Sequence, residues 1–402
     1  MTSKNSSGNK PIIPYGRQWV TASDIRAVVS VLRSDWLTQG PLVRRFEEAF
    51  ARYCATPYAV AVSSGTAGLH LACLAAEFGK GDEILTSPMS FAATANAALY
   101  VGAKPVFADI EKCFVGLDPT ALLKKKTIRS RGILNVHFGG HPSLIGPKKN
   151  FSSQKDFYVI EDACHALGAE VQSSGRWKKI GSCENADMSV FSFHPVKHIT
   201  TGEGGMIVTR RRDLYEKLLL LRSHGIEKDP TRFTDKAGKT RPWHYEMQAL
   251  GFNYRITDIQ CALGLSQLDR LEESVTRRRA IAAFYNRSLK DLDSLKLPLE
   301  NSGNCRSSYH LYTLRIDFKK IGKKREEVMR TLRQKGVGTQ VHYIPVISQP
   351  YYKKRYGLSL SDYPECAHYY AETLSIPLFP SMTKSDRVRV VRALKDTLRH
   401  SP

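Results

Sequence analysis

One lysine stands where a lysine could do covalent chemistry. Lys197 lies in Phe191-Ser-Phe-His-Pro-Val-Lys-His-Ile-Thr-Thr-Gly-Glu-Gly-Gly205, between the β-rich runs Met188–Phe193 and Gly205–Thr209. A lysine locked in a tight turn between two strands does not wander in solvent. Its amine could form a Schiff base with a cofactor aldehyde, as in enzymes that use pyridoxal 5′-phosphate (PLP). The plain alternative is a surface lysine in a glycine-rich hairpin. Upstream, the apolar run Phe157–Ile160 reads as a buried strand and ends in Glu161-Asp162-Ala-Cys-His165. A carboxylate there faces a ligand crevice in an α/β sheet, where Asp162 could pair with a ring nitrogen. It could equally cap a helix.

Two further pieces concern a phosphate and a ring. Tyr58–Val62 reads as a strand and Ala67–Ala76 as a helix, with Ser63-Ser64-Gly65-Thr66 between them. Such a turn offers free N–H groups and a positive helix end to an anion. It is neither a dinucleotide fingerprint nor a P-loop. Phe91, in Pro88-Met-Ser-Phe-Ala-Ala-Thr94, follows the strand-like Glu83–Thr86. It either stacks on a flat ring or packs in the core.

In this order the pieces resemble the sugar aminotransferases of the DegT/StrS type. The resemblance runs from Ile13 to Pro380. It includes Leu37-Thr-Gln-Gly-Pro41, Gly202-Glu-Gly-Gly205 and Gly251-Phe-Asn-Tyr-Arg-Ile-Thr-Asp258. It implies the aspartate aminotransferase-like PLP fold and assigns roles to the matching positions. Lys197 is implied as the Schiff-base lysine, Asp162 as the pyridinium partner, and Phe91 as the stacking ring. Gly65, Thr66 and Ser192 are implied as phosphate ligands, His165 as a neighbour of the cofactor's 3′-oxygen, and Asn253 as a phosphate contact from the partner subunit. The implied assembly is therefore a homodimer with shared active sites.

Val341-His-Tyr-Ile-Pro345, Gln349-Pro-Tyr-Tyr352 and Leu220–Ile226 are similar to the transaminases of pseudaminic acid synthesis within that family. That likeness implies amination at C4 of a UDP-linked 2-acetamido-2,6-dideoxy-4-ketohexose. L-glutamate would be the donor and 2-oxoglutarate the by-product. Another nucleotide ketosugar, aminated at C4 or C3, is the alternative.

The rest of the chain sets limits. Its 402 residues, 42% hydrophobic, suffice for more than one domain. Strand-like runs near 58–62, 83–86, 105–107, 133–136, 157–160, 188–193 and 205–209 alternate with helical stretches. The expectation is a mostly parallel α/β/α domain over 1–262 and a smaller α+β domain over 263–402. Tyr309–Ile316 reads as a strand of the latter, and Glu326–Arg333 and Ser385–Leu394 as helices. No run of about 18 apolar residues appears, so no membrane is expected as a partner. The polar segment 1–10 reads as a frayed tail rather than a secretory signal.

The eight cysteines, scattered without a C-x-x-C pair, suit reduced thiols and a cytoplasmic setting. Cys164 as a nucleophile is the weaker reading, because lysine chemistry needs no thiol. His137 and His141 have i, i+4 spacing, but the intervening glycines argue against a helix that would align them, so no metal is expected. The net charge is +22, carried partly by Lys124–Arg131, Arg277–Arg279 and Lys319–Arg325. A non-catalytic nucleic-acid-binding or regulatory protein is the alternative from another class. Dispersed basic runs without a nucleic-acid motif suit solvated faces and an anionic nucleotide substrate better, so nucleic acid is not expected as a partner.

Overall fold

The computed structural model describes residues 11–299 and 303–399; the segment 1–10, expected to fray, lies outside them. Short apolar runs build the main sheet: β1 (Tyr58–Val62), β2 (Glu83–Thr86), β3 (Lys104–Phe107), β4 (Ser130–Val136) and β5 (Tyr158–Asp162). After a small hairpin, β6 (Glu170–Ser173) and β7 (Arg176–Lys179), come β8 (Met188–Ser192) and β9 (Gly205–Thr209). The sheet order is β1-β9-β8-β5-β4-β2-β3. From β3 to β8 every pairing is parallel, and only β9 runs against its neighbours. Near-continuous apolar strands follow from burial on both faces.

Helices supply that burial. α1 (Ala22–Leu32) and α2 (Pro41–Cys54) precede the sheet, α3 (Gly65–Ala75), α4 (Ala92–Tyr100) and α5 (Pro119–Lys125) connect its strands, and α6 (Arg212–Arg222) follows β9. Leu69, Leu71, Ala97, Leu214 and Leu218 of α3, α4 and α6 pack on Val60, Ile84, Ile160 and Val190. On the other face Phe46 and Phe50 of α2 meet Phe191, Phe193 and Met206. Leu122 of α5 packs there with Leu85, Ile133 and Val159. The result is an α/β/α layer with each strand end open to one rim of the sheet.

The short β10 (Ile226–Glu227) and β11 (Glu246–Met247) pair as a projecting ribbon. α7 (Asp258–Leu268) spans the expected 262–263 junction, and α8 (Leu271–Leu289) leads away from the sheet. β12 (Leu295–Lys296), β14 (Tyr312–Ile316) and β15 (Thr373–Ile376) form a second, antiparallel sheet, while β13 (Cys305–Arg306) joins β6. α9 (Arg325–Gln334), α10 (Pro350–Tyr356), α11 (Pro364–Glu372) and α12 (Lys384–Leu398) complete this part. Its core joins Tyr285, Tyr312, Leu314, Leu332, Leu374 and Leu394 with Ile13 from the start of the chain. The strand read over Tyr309–Ile316 begins only at Tyr312. Tyr309 takes a left-handed backbone (φ 48°), which an extended run does not tolerate.

Candidate active site

A cavity of about 670 Å³ opens at the carboxyl ends of β4, β5 and β8, which is where an α/β sheet presents its ligands. Lys197 reaches it from the β8–β9 connection, which is bonded to itself. The Thr201 N–H and Thr200 hydroxyl both donate to the Phe193 carbonyl at 3.0 Å, and the Lys197 N–H donates to the His194 carbonyl at 2.9 Å. Buried Ile199 pins the same turn into the core. The side chain therefore points into the cavity, not outward from a hairpin. Burial pushes the amine below its ordinary pKa, and nearby Cys164 and Asp162 partly oppose that shift.

Asp162 is the last residue of β5 and is buried. Its Oδ2 accepts a 2.6 Å bond from the Thr94 hydroxyl, and Thr94 lies 2.6 Å from the Ser90 hydroxyl. Its Oδ1 accepts from the Cys164 N–H at 3.2 Å. No helix begins after Asp162, so the helix-cap reading does not hold. Two bonds instead fix the carboxylate where it lines the cavity with Lys197.

At the other end of the cavity α3 starts. Ser64 caps it, its hydroxyl accepting from the Ala67 N–H at 3.0 Å. Gly65 and Thr66 are the first helical residues, so their N–H groups have no acceptor within the helix. A Cβ on Gly65 would sit 2.9 Å from the Ser192 Cβ and 3.1 Å from the Cys164 sulfur. The missing side chain thus lets the start of α3 pack closely against Ser192, and its donors line the cavity together with that residue.

Phe91 lies at the head of α4 and is 62% exposed, which rules out core packing. Its ring lines the cavity 6.0 Å from that of Tyr343. His165 is buried; its Nδ1 accepts from the Gly139 N–H at 3.2 Å and its Nε2 lies 3.2 Å from the Tyr343 hydroxyl. Burial first, and then the charge of Lys197, hold its pKa well below the usual histidine range. A single lone pair at Nδ1 leaves the proton on Nε2.

Of the remaining candidates only Cys164 lines the cavity. Asn253 is exposed and bridges to Ser223, away from the cavity wall of its own chain. Arg255 forms no ion pair among the described residues. The Nδ1 of His137 accepts from the Ser143 N–H at 3.0 Å, and its Nε2 lies 3.4 Å from Glu161. His141 turns its Nδ1 to the Pro142 carbonyl at 3.0 Å. Burial raises the Cys164 thiol well above its ordinary pKa, and Asp162 raises it further, which suppresses the thiolate that a nucleophile would need.

The sequence reading missed Thr94 as the support of Asp162. It also missed Tyr15, His310, His342 and Tyr343, which complete the wall from the second half of the chain and its start. Thr94 ends the segment Pro88–Thr94, but its bond reaches a residue 68 positions away. Lys197 is the only Lys or Arg among the described lining residues, and Asp162 and Glu203 are the carboxylates.

The model of the DegT/DnrJ/EryC1/StrS aminotransferase family matches residues 19–395. Spore coat polysaccharide biosynthesis protein SpsC of Bacillus subtilis (strain 168) is 37% identical over 388 residues, covering 96% of this chain and 97% of its own. Helicobacter pylori PseC, an aminotransferase involved in the biosynthesis of pseudoaminic acid, superposes with a TM-score of 0.84. It is 30% identical over 96% of this chain and 99% of that one. Spr1654 of Streptococcus pneumoniae, in its PLP-form, gives a TM-score of 0.84 at 26% identity, over 96% of this chain and 98% of that chain.

Proposed function

This chain belongs to the DegT/DnrJ/EryC1/StrS aminotransferase family, and from that membership we propose that it aminates C4 of a UDP-linked 2-acetamido-2,6-dideoxy-4-ketohexose, with L-glutamate as donor. It is a PLP-dependent sugar aminotransferase of the fold-type I class. The observation that carries the reading is one cavity that gathers Lys197, Asp162 and the free N–H groups at the start of α3.

The residues present fit PLP. The free N–H groups of Gly65 and Thr66 at the cavity wall, with Ser192 beside them, suit a phosphate. The exposed Phe91 ring offers a stacking face, and Asp162 offers a carboxylate to a ring nitrogen. Bound there, PLP supplies an aldehyde for an amine and a ring that withdraws electrons from the donor's α-carbon.

The chain's own groups do the rest. Lys197, with its charged form disfavoured by burial, is the base that takes the proton from the donor's α-carbon and returns one to the sugar's C4. Thr94 and the Cys164 N–H hold Asp162 in one orientation. Phe91, Phe138 and Tyr343 give the cavity an apolar, aromatic wall.

The UDP diphosphate and the glutamate carboxylates require more positive charge than one lysine provides. We place it on a second copy, whose Asn253 and Arg255 would enter the site in a homodimer. Trp243, Tyr245, Met247 and Leu250, just ahead of Asn253, are all more than half exposed, as an interface between copies requires. The likeness to PseC and SpsC supports a surface-glycan sugar as substrate. The test is a panel of UDP-4-keto-6-deoxy sugars with glutamate, read as 2-oxoglutarate and 4-amino sugar formed in equal amounts. Amination of a 3-keto sugar alone, or of no UDP-4-keto sugar, would overturn the assignment.

A further inference from the structure

The sheet has a second rim, opposite the cavity, and it carries unbalanced charge. β2 starts there at Glu83, β4 at Ser130 and β5 at Tyr158, while Val136 and Asp162 finish at the cavity. The seven residues of β4 set the two rims roughly 20 Å apart. Acids on the far rim are already matched. Glu83 pairs with Arg129 at 2.8 Å and Lys104 at 3.5 Å, and Arg131 holds both Asp82 and Asp156. Asp187 pairs with Lys148 at 3.2 Å and Arg211 at 3.4 Å. Lys80, Lys124, Lys126, Lys149 and Lys155 are exposed around these pairs and form no ion pair among the described residues.

Amid these lysines the turn between α5 and β4 raises one aliphatic residue. Ile128 is 95% exposed, and Leu123 beside it is 51% exposed. The same turn borders a hollow of about 370 Å³ lined by Lys126, Ile128, Ser152 and Ser153, with the Thr127 hydroxyl turned to Glu83 at 2.6 Å. We propose that this rim docks the enzyme peripherally on an anionic bilayer, with Ile128 entering the headgroup boundary and the free lysines facing lipid phosphates.

Three features favour a bilayer over other polyanions or a second copy. An aliphatic tip loses its contact with water only in an apolar medium, and exposed lysines without acidic partners suit phosphate headgroups. Binding a nucleic acid strand draws on stacking rings, whereas the exposed tip of this turn, Ile128, is aliphatic. Two copies of the rim would repel through their unpaired lysines. The orientation leaves the cavity facing the aqueous side. It also gives a use to part of the net charge of +22, which the sequence assigns to solvated faces and an anionic nucleotide substrate.

The test is co-sedimentation of the PLP-loaded full chain with vesicles of phosphatidylglycerol and phosphatidylcholine, against vesicles of phosphatidylcholine alone. Binding only to the anionic vesicles, and its loss in about 1 M salt, are expected. Each lysine near the surface contributes about fivefold, so Lys124→Glu with Lys126→Glu should weaken binding by at least about 25-fold. Ile128→Ser should weaken it several-fold at unchanged turnover, and the emission of Ile128→Trp should shift blue on anionic vesicles only. Inorganic phosphate at millimolar concentration should not displace the enzyme. Anionic vesicles that fail to bind it, binding indifferent to these substitutions, or displacement by millimolar phosphate would overturn the proposal. So would tighter binding to duplex DNA that Ile128→Ser leaves intact.

Discussion

The amine of Lys197 sits where burial disfavours its charged form, and Asp162 sits where two bonds fix its carboxylate. Each carries a distinct prediction. Lys197→Ala removes the proposed base and should abolish turnover together with the visible absorbance of the lysine–cofactor linkage. Circular dichroism should show the fold intact, and catalysis in a well-folded variant would refute the role. Asp162→Asn should keep PLP bound yet slow turnover by several orders of magnitude, because an amide does not hold a ring nitrogen protonated. A rate within tenfold of the parent would make the carboxylate structural. Both residues were legible because each ends or follows a short apolar strand. Thr94 was not legible as the orienting group. A hydroxyl on the first turn of a helix looks the same in sequence whether it meets solvent or a carboxylate.

Secondary elements were legible to the extent that their pattern was local. All seven strands of the main sheet fall at or within three residues of the apolar runs that announced them, since strands buried on both faces are apolar throughout. The cavity wall contributed by His310, His342 and Tyr343 was not legible, because packing of the second half of the chain brings it there. Tyr309 shows the local limit, where a positive φ inside an apolar run cuts the strand short. The turn before α3 was legible, and its tightness gives a prediction at this scale. In Gly65→Ala the added carbon would lie 2.9 Å from the Ser192 Cβ, closer than side chains approach, so Ser192 or the start of α3 must shift. PLP affinity, measured by absorbance titration of the apoenzyme, should fall at least about tenfold. An unchanged affinity would remove this turn from the phosphate site.

At the scale of the whole molecule, buried histidines tie stability to pH. Burial holds His165, His198 and His310 well below their ordinary pKa and brings His342 to about 4. The unfolded chain takes up these protons near pH 6.5 and the folded chain does not, so acid favours unfolding. Stability should be full above about pH 6.5 and fall as the pH drops toward 4. His342 alone accounts for about 3 kcal/mol of that loss. His342→Gln should flatten the fall in unfolding temperature across this window, and an identical slope would exclude His342 as a contributor. Assembly is the other property of this scale. Asn253 lies outside its own cavity, Arg255 lacks an ion pair among the described residues, and the cavity wall has one lysine for several anionic groups. If a partner completes the site, complementation must follow a definite arithmetic. Mixing Lys197→Ala chains with Asn253→Ala chains gives heterodimers with one doubly defective site. The other site has Lys197 from one chain and Asn253 from its partner, and is intact. Activity should therefore rise above either parent, toward half the normal value per heterodimer. Recovery should require subunit exchange, checked by native mass measurement, since unexchanged homodimers contain no intact site. An impaired Asn253→Ala parent that gains nothing in proven heterodimers would show that each site is built from one chain.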